Sequence, residues 1–139
     1  MRKSVLILLV LVMATSCKKA IPETAISKIN GYWEIEKVIL ADGSKKEYKV
    51  NSTIDYFELK DKKGFRQKVM PQLDGTYATN NIREIISVSN EDGEFYVNYT
   101  TNFGNWKEEI LELEDSVLVL KSAANLEYHY KKPIPFSLK

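Results

Sequence analysis

Few residues of this chain belong to the types that perform covalent or metal chemistry. The sequence of 139 residues contains one cysteine, Cys17, and one histidine, His129. A single histidine cannot form a histidine cluster for a metal ion, and the chain has no Gly-x-Ser-x-Gly turn to present a nucleophilic serine. His129 lies between two tyrosines, which favours a partly packed surface histidine over a catalytic base. We therefore predict no metal site, no cofactor and no catalytic residue.

Acidic residues are the other candidates for chemistry. A pair of carboxylates that face each other is the arrangement used by glycosidases. Carboxylates on strands more often face solvent, so the expectation is a protein that is not an enzyme, with an unrecognised hydrolase as a distant alternative. The acids concerned are the glutamates of one short segment, Glu108, Glu109, Glu112 and Glu114.

Cys17 has a different context, because the residues before it have the pattern of an export signal. Arg2 and Lys3 precede an apolar run over residues 5–13, and small residues then lead to Cys17. This order is typical of a secretory signal peptide, and the run is about half the ~20 residues needed to span a bilayer. A cysteine at the cleavage point resembles a bacterial lipoprotein signal, in which the cysteine becomes the mature N-terminus and carries acyl chains. The alternative is a plain secretory signal cut near Ser16, which leaves an unpaired thiol.

The resemblance implies a division of the chain into residues 1–16 as lipoprotein signal peptide, 17–27 as lipid-anchored tether and 28–139 as folded domain. It also implies that the partner of Cys17 is the membrane. We expect residence in the outer membrane of a Gram-negative envelope. The periplasmic side is favoured over the cell surface, because Lys18 and Lys19, not an acidic run, follow Cys17.

The charge balance argues against nucleic acid as a partner. The whole chain carries 20 cations and 19 acids, and the signal contains two of the cations and none of the acids. The mature part therefore has no strong field of one sign. Its length suits one domain, which we expect to be a monomer.

Turn signals at regular spacing predict a fold made only of strands. Runs rich in Val, Ile, Tyr, Phe and Thr alternate with Asp-Gly, Asn-Asn and similar pairs, as in an up-and-down meander. Such a meander leaves exposed edges unless it closes. We therefore predict an all-β fold, an up-and-down antiparallel β-barrel of about 8 strands. The expected strands are 31–41, 45–50, 54–61, 64–70, 75–80, 84–90, 94–102, 105–114, 116–122 and 125–132.

The segment Ile29-Asn30-Gly31-Tyr32-Trp33 resembles the opening of lipocalins and related small barrels, above all the lipocalin-like lipoproteins of Bacteroidetes. One helical turn precedes Gly31, and an Asp-Gly turn follows the first strand. The resemblance implies that Gly31 and Trp33 form the structural motif at the closed end of a barrel. It also implies that a cation near the last strand, Lys131 or Lys132, stacks over Trp33.

Aromatic side chains are the candidates for a ligand pocket, since eight-stranded barrels either fill with side chains or hold one small ligand. The first hypothesis is non-catalytic binding of a small apolar or amphipathic molecule in the barrel mouth. The alternative is a structural or interaction module of the cell envelope, with a filled barrel. The candidate ligand-binding residues are Phe57, Phe95, Tyr99, Trp106, Tyr128 and Tyr130.

Overall fold

The computed structural model describes residues 20–134, which form one short 3-10 helix followed by nine strands. Among these residues, no helix is both long enough and apolar enough to cross a bilayer. The opening helix is Glu23–Ile29, and the strands are β1 Gly31–Ile39, β2 Lys45–Glu47, β3 Ile54–Lys60, β4 Lys63–Pro71, β5 Tyr77–Glu91, β6 Glu94–Thr101, β7 Gly104–Leu113, β8 Val117–Ser122 and β9 Glu127–Lys131.

The strands form a closed antiparallel barrel. From β3 onward each strand pairs with the next one along the chain, and β9 returns to pair with β1. Eight strands, β1 and β3 to β9, form the closed ring. The short β2 is additional to the ring and pairs with residues 37–39 at the end of β1. This confirms the predicted up-and-down barrel, in which closure removes the exposed edges of the sheet.

Strand β5 differs from the prediction, which placed two strands at 75–80 and 84–90. The Asn80-Asn81 pair does not reverse the chain. Between Gln67↔Arg83 and Val69↔Thr79, β5 advances by four residues while β4 advances by two, so the extra residues bulge outward. Asn81 has a φ of 59°, and its backbone N–H donates to Thr79 Oγ1. A bulge and a turn use the same residue types, which is why the two look alike in sequence.

The barrel has a closed end and an open end. The opening helix covers the end at which β1 begins and where the turns β3–β4, β5–β6 and β7–β8 lie. Ile26, Ile29 and Trp33 are buried there, in one core cluster with Phe57 and Leu118. The turns β1–β2, β6–β7 and β8–β9 lie at the open end, whereas the β4–β5 hairpin lies against the start of β1, where Tyr77 stacks on Tyr32 with ring centroids 3.9 Å apart. Residues 23–27, assigned to the tether by the sequence prediction, thus belong to a helix that packs on the barrel.

Trp33 fixes the closed end. Its indole Nε1 donates to Ile29 O at 2.8 Å, and Lys132 Nζ lies 3.8 Å from the ring centroid. The expected cation is therefore Lys132. Gly31 has a φ of +113°, and a Cβ there would come within 3.3 Å of Lys132 Nζ, so glycine suits both the backbone and the space.

Candidate ligand-binding cleft and the charged layer beneath it

A cleft of about 560 Å³ opens at the open end of the barrel, between the bulge of β5 and the turn that joins β6 to β7. Its lining combines apolar and charged side chains. The apolar ones are unusually exposed: Phe103 by 100%, Ile82 by 68%, Ile85 by 57% and Trp106 by 42%. The charged ones are Lys68, Arg83 and Glu84.

Trp106 joins the cleft to the barrel interior. It lies opposite Tyr99 in the β6–β7 register, and the two rings stack with centroids 5.1 Å apart and an interplanar angle of 11°. The Arg66 guanidinium lies 4.4 Å from the Tyr99 ring centroid, and Arg66 Nη1 is 3.3 Å from the Tyr99 hydroxyl. An aromatic pair and a cation therefore separate the cleft from the core.

Five ionisable residues beside the cleft are here called the charged layer. Asp55, Arg66, Glu84 and Glu108 are largely buried in the barrel, and Lys68 is more exposed and reaches the cleft. Arg66 is at its centre, with Nε and Nη2 each donating to a different oxygen of Glu84 at 2.9 Å. Arg66 Nη1 is also 3.7 Å from Glu108 Oε1. Lys68 Nζ lies 2.6 Å from Asp55 Oδ1. Buried charges persist only when they are paired in this way.

The charged layer was missed by the sequence prediction, although a signal for it exists. Successive side chains of a strand alternate between faces, so residues two apart share a face. Asp55 is two residues from the buried Phe57, and Glu108 is two residues from the buried Ile110. Glutamates of β7 were expected to face solvent, and Glu108 instead faces the interior.

Burial controls the protonation of several groups in and around the charged layer. It raises the pKa of Glu108 above its ordinary value, an effect that the Tyr99 hydroxyl and the charge of Arg66 only partly offset. Burial also raises the pKa of Tyr99 and of Tyr130 well above the ordinary phenol value. Both phenols therefore stay neutral, and the charged form of the Glu108 carboxyl is disfavoured at its buried position.

We expect Glu108→Gln to stabilise the protein at pH 7 by on the order of 1 kcal/mol, because a buried charge is removed. Because the folded pKa is raised, the folded state holds its proton more tightly than the unfolded state. Stability of the wild type thus falls as pH rises from the unfolded pKa through the folded one. Urea unfolding at a series of pH values checks this: the advantage of the variant should vanish toward pH 4. An advantage that is constant with pH would contradict the assignment.

Most predicted ligand-binding residues lie in the packed interior. Phe57, Phe95, Tyr99 and Tyr130 are buried in the core, and Tyr128 is half-buried against it. Trp106 lines the cleft. The interior below the charged layer is therefore filled with side chains, and the space for a ligand lies at the mouth. Cys17 is outside the described residues.

Within residues 20–134, no group of three or more His, Cys, Asp and Glu side chains is placed to hold a metal ion. His129 is half-buried, with its Nε2 3.1 Å from Glu127 Oε2.

No family model matches the sequence, and no curated protein matches it. Among solved structures, the chain is similar to a lipocalin-like protein from Bacteroides uniformis ATCC 8492. The two are 17% identical, with a TM-score of 0.49, over 76% of this chain and 98% of the other.

Proposed function

We propose that the protein binds a small amphipathic molecule in the open-end cleft, without catalysis. The observation that carries the proposal is the composition of the cleft. Four of the nine exposed large hydrophobic side chains of residues 20–134 line it, and charged groups stand beside them. Apolar walls with a few polar groups are the usual features of small-molecule sites.

The structure of the mouth limits how a ligand would lie. The charged layer and the filled core prevent deep insertion, so the apolar part of the ligand would rest on Phe103, Ile82 and Trp106. Its polar part would then lie near Lys68, whose side chain is 57% exposed, or near Arg83. Both oxygens of Glu84 are already engaged by Arg66.

Fluorescence of Trp106 tests the proposal directly. We expect a saturable change on titration with decanoate, decyltrimethylammonium or decyl maltoside, each kept below its critical micelle concentration. These probes share a chain and differ in head-group charge. Phe103→Ser should weaken binding about tenfold, since one large apolar contact is lost. Phe103 is fully exposed, so this change should leave the fold intact.

Leu73→Ser is the matched control, because Leu73 is exposed on the β4–β5 turn and does not line the cleft. It should leave the affinity unchanged. If none of the three probes changes the fluorescence, or if Leu73→Ser weakens binding as much as Phe103→Ser, the cleft is not the binding site.

The alternative is an interaction module of the envelope, and the filled interior favours it. In that case the apolar side chains of the cleft would contact a protein partner, and the decyl probes would not bind in a saturable way. The titration above therefore separates the two functions.

We further propose that the protein is a lipoprotein, held in the outer membrane by acyl chains on Cys17 and exposed on its periplasmic side. The signal-like pattern of residues 1–16 and the single cysteine that follows it support this. Two or three acyl chains suffice for stable anchoring, whereas one holds only marginally.

Cys17→Ser should release the protein from membranes, because serine has no thiol to receive the lipid. Sedimentation of cell fractions measures the change, with most of the wild type expected in the pellet and most of the variant in the supernatant. Lys18→Ser serves as the control and should stay in the pellet. A Cys17→Ser variant that pellets like the wild type would refute the anchor.

A further inference from the structure

We infer that the outer surface of β5, β6 and β7, here called the β5–β7 wall, lies against the lipid bilayer, so that the cleft exchanges its ligand with the membrane surface. The inference rests on the proposed function, both the anchor at Cys17 and the binding cleft. Beyond that function, the bound molecule is taken from the membrane surface, and the β5–β7 wall is the side of the barrel that contacts lipid.

The first described residues, Ala20 and Ile21, lie beside the closed end of this wall. Ala20 and Ile21 line two shallow depressions at the closed end together with residues 92–94 of the β5–β6 turn and residues 109–114 of β7 and the turn after it. Ile21 also packs against the core. Ala20 is three residues from Cys17, and three extended residues reach only about 10 Å. An acylated Cys17 must therefore enter the bilayer close to this wall.

The same wall carries the apolar side chains of the cleft at its other end. Ile85 projects outward from β5 opposite Thr100 of β6, Ile82 belongs to the bulge, and Phe103 is at the β6–β7 turn. If the barrel stood upright on its closed end, these side chains would remain in water. Tilting the wall onto the bilayer brings the anchor and the apolar side chains to the lipid together.

The middle of the wall is largely uncharged, whereas most of its acids, Glu91, Asp92, Glu94 and Glu109, lie toward the closed end. Its outward side chains on β5 and β6 include small uncharged ones, Ser87, Ser89, Asn98 and Thr100. On β7, Lys107 Nζ is paired with Glu91 Oε2 at 2.7 Å. The uncharged middle of the wall therefore costs little to desolvate when it meets head groups. Arg83, beside the cleft, is a long cation suited to reach a lipid phosphate.

Quenching by brominated lipids tests the orientation. The acylated full-length protein is reconstituted in phosphatidylethanolamine and phosphatidylglycerol vesicles that contain a dibromo-acyl phosphatidylcholine. Trp106 belongs to the cleft, whereas Trp33 is fully buried at the closed end. The contribution of Trp106 is obtained by subtracting the quenching measured for Trp106→Phe from the quenching measured for the wild type. The phenylalanine keeps an aromatic ring stacked on Tyr99. We expect Trp106 to be quenched with no ligand added.

The variant Ile82→Ser/Phe103→Ser should reduce this quenching at least twofold, and Leu73→Ser, on another side of the barrel, should not. Circular dichroism confirms that each variant is folded. If the protein sediments with vesicles but Trp106 is not quenched, the orientation is wrong while the anchor and the cleft stand. If the protein does not sediment with vesicles, the anchor fails and the orientation falls with it. If the protein sediments with vesicles but the cleft does not bind ligand, the titration with the decyl probes would show no saturable fluorescence change.

Discussion

Replacing Arg66 by methionine should lower the free energy of unfolding by about 3 kcal/mol. The reason is the number of acids that share this cation. Glu84 accepts two hydrogen bonds from it, Glu108 is in ion-pair contact with it, and Asp55 adds to the field that raises the pKa of Arg66 against the opposing effect of burial. Without Arg66, carboxylates would remain inside the barrel with too little positive charge. Urea unfolding at pH 7 measures the loss.

Two further measurements make this prediction specific. The loss should shrink as pH falls, because protonated carboxyls no longer need the cation. Adding Glu84→Gln to Arg66→Met should recover part of the stability, since the closest partner then carries no charge. Arg83→Met is the control: Arg83 is exposed and stacks 4.0 Å from the Phe65 ring, so its replacement should cost about 1 kcal/mol at most. Equal losses at the two arginines would contradict a charged layer organised around Arg66.

Trp33→Ala should destabilise the protein by about 4 kcal/mol, the typical cost of deleting a large aromatic side chain from a core. Trp33 is fully buried, and it links three parts of the closed end: the opening helix through Ile29 O, the barrel core, and Lys132 after the last strand. The alanine variant would leave a cavity between the helix and the barrel. Thermal or urea unfolding with circular dichroism detects the loss.

Trp33→Phe should recover part of this stability, because it keeps one aromatic ring in the core and loses the second ring and the indole hydrogen bond. Trp106→Ala is the matched comparison, since the same residue type is removed from a half-exposed position, and about 1 kcal/mol is expected. Should Trp106→Ala prove the more damaging, the closed end would not depend on Trp33.

The barrel could be predicted from sequence because its connections are local. Asp92 and Gly93 adopt positive φ angles of 53° and 87° and reverse the chain between β5 and β6. Residue pairs of this kind form a tight turn through their own backbone preferences. Alternation also worked where no irregularity intervened: Phe95, Val97 and Tyr99 share one buried face, as expected from their spacing. A meander of such hairpins leaves closure as the way to remove its edges.

The errors arose where distant strands decide the local structure. Asn80-Asn81 is a bulge because β4 continues beside it, and sequence alone does not show the partner. In β7 the register shifts between Ile110 and Glu112, so Leu113 faces the core although a strict alternation from Ile110 would exclude it. The charged layer depends on side chains from four strands that meet across the barrel, which makes it a property of the closed ring.

The pairing of β1 with β9 has a consequence for how the molecule forms. Glu34 of β1 pairs with Lys131 of β9, so this pairing, here called the seam, joins the first and last strands of the folded chain. Contacts of such long sequence separation form slowly, because the loop between them must first lose its conformational freedom. Hairpins such as β5–β6 and β6–β7 should therefore assemble early and the seam last. Until β9 arrives, the first strand presents an unpaired edge, and the newly made polypeptide is most prone to aggregation during that interval.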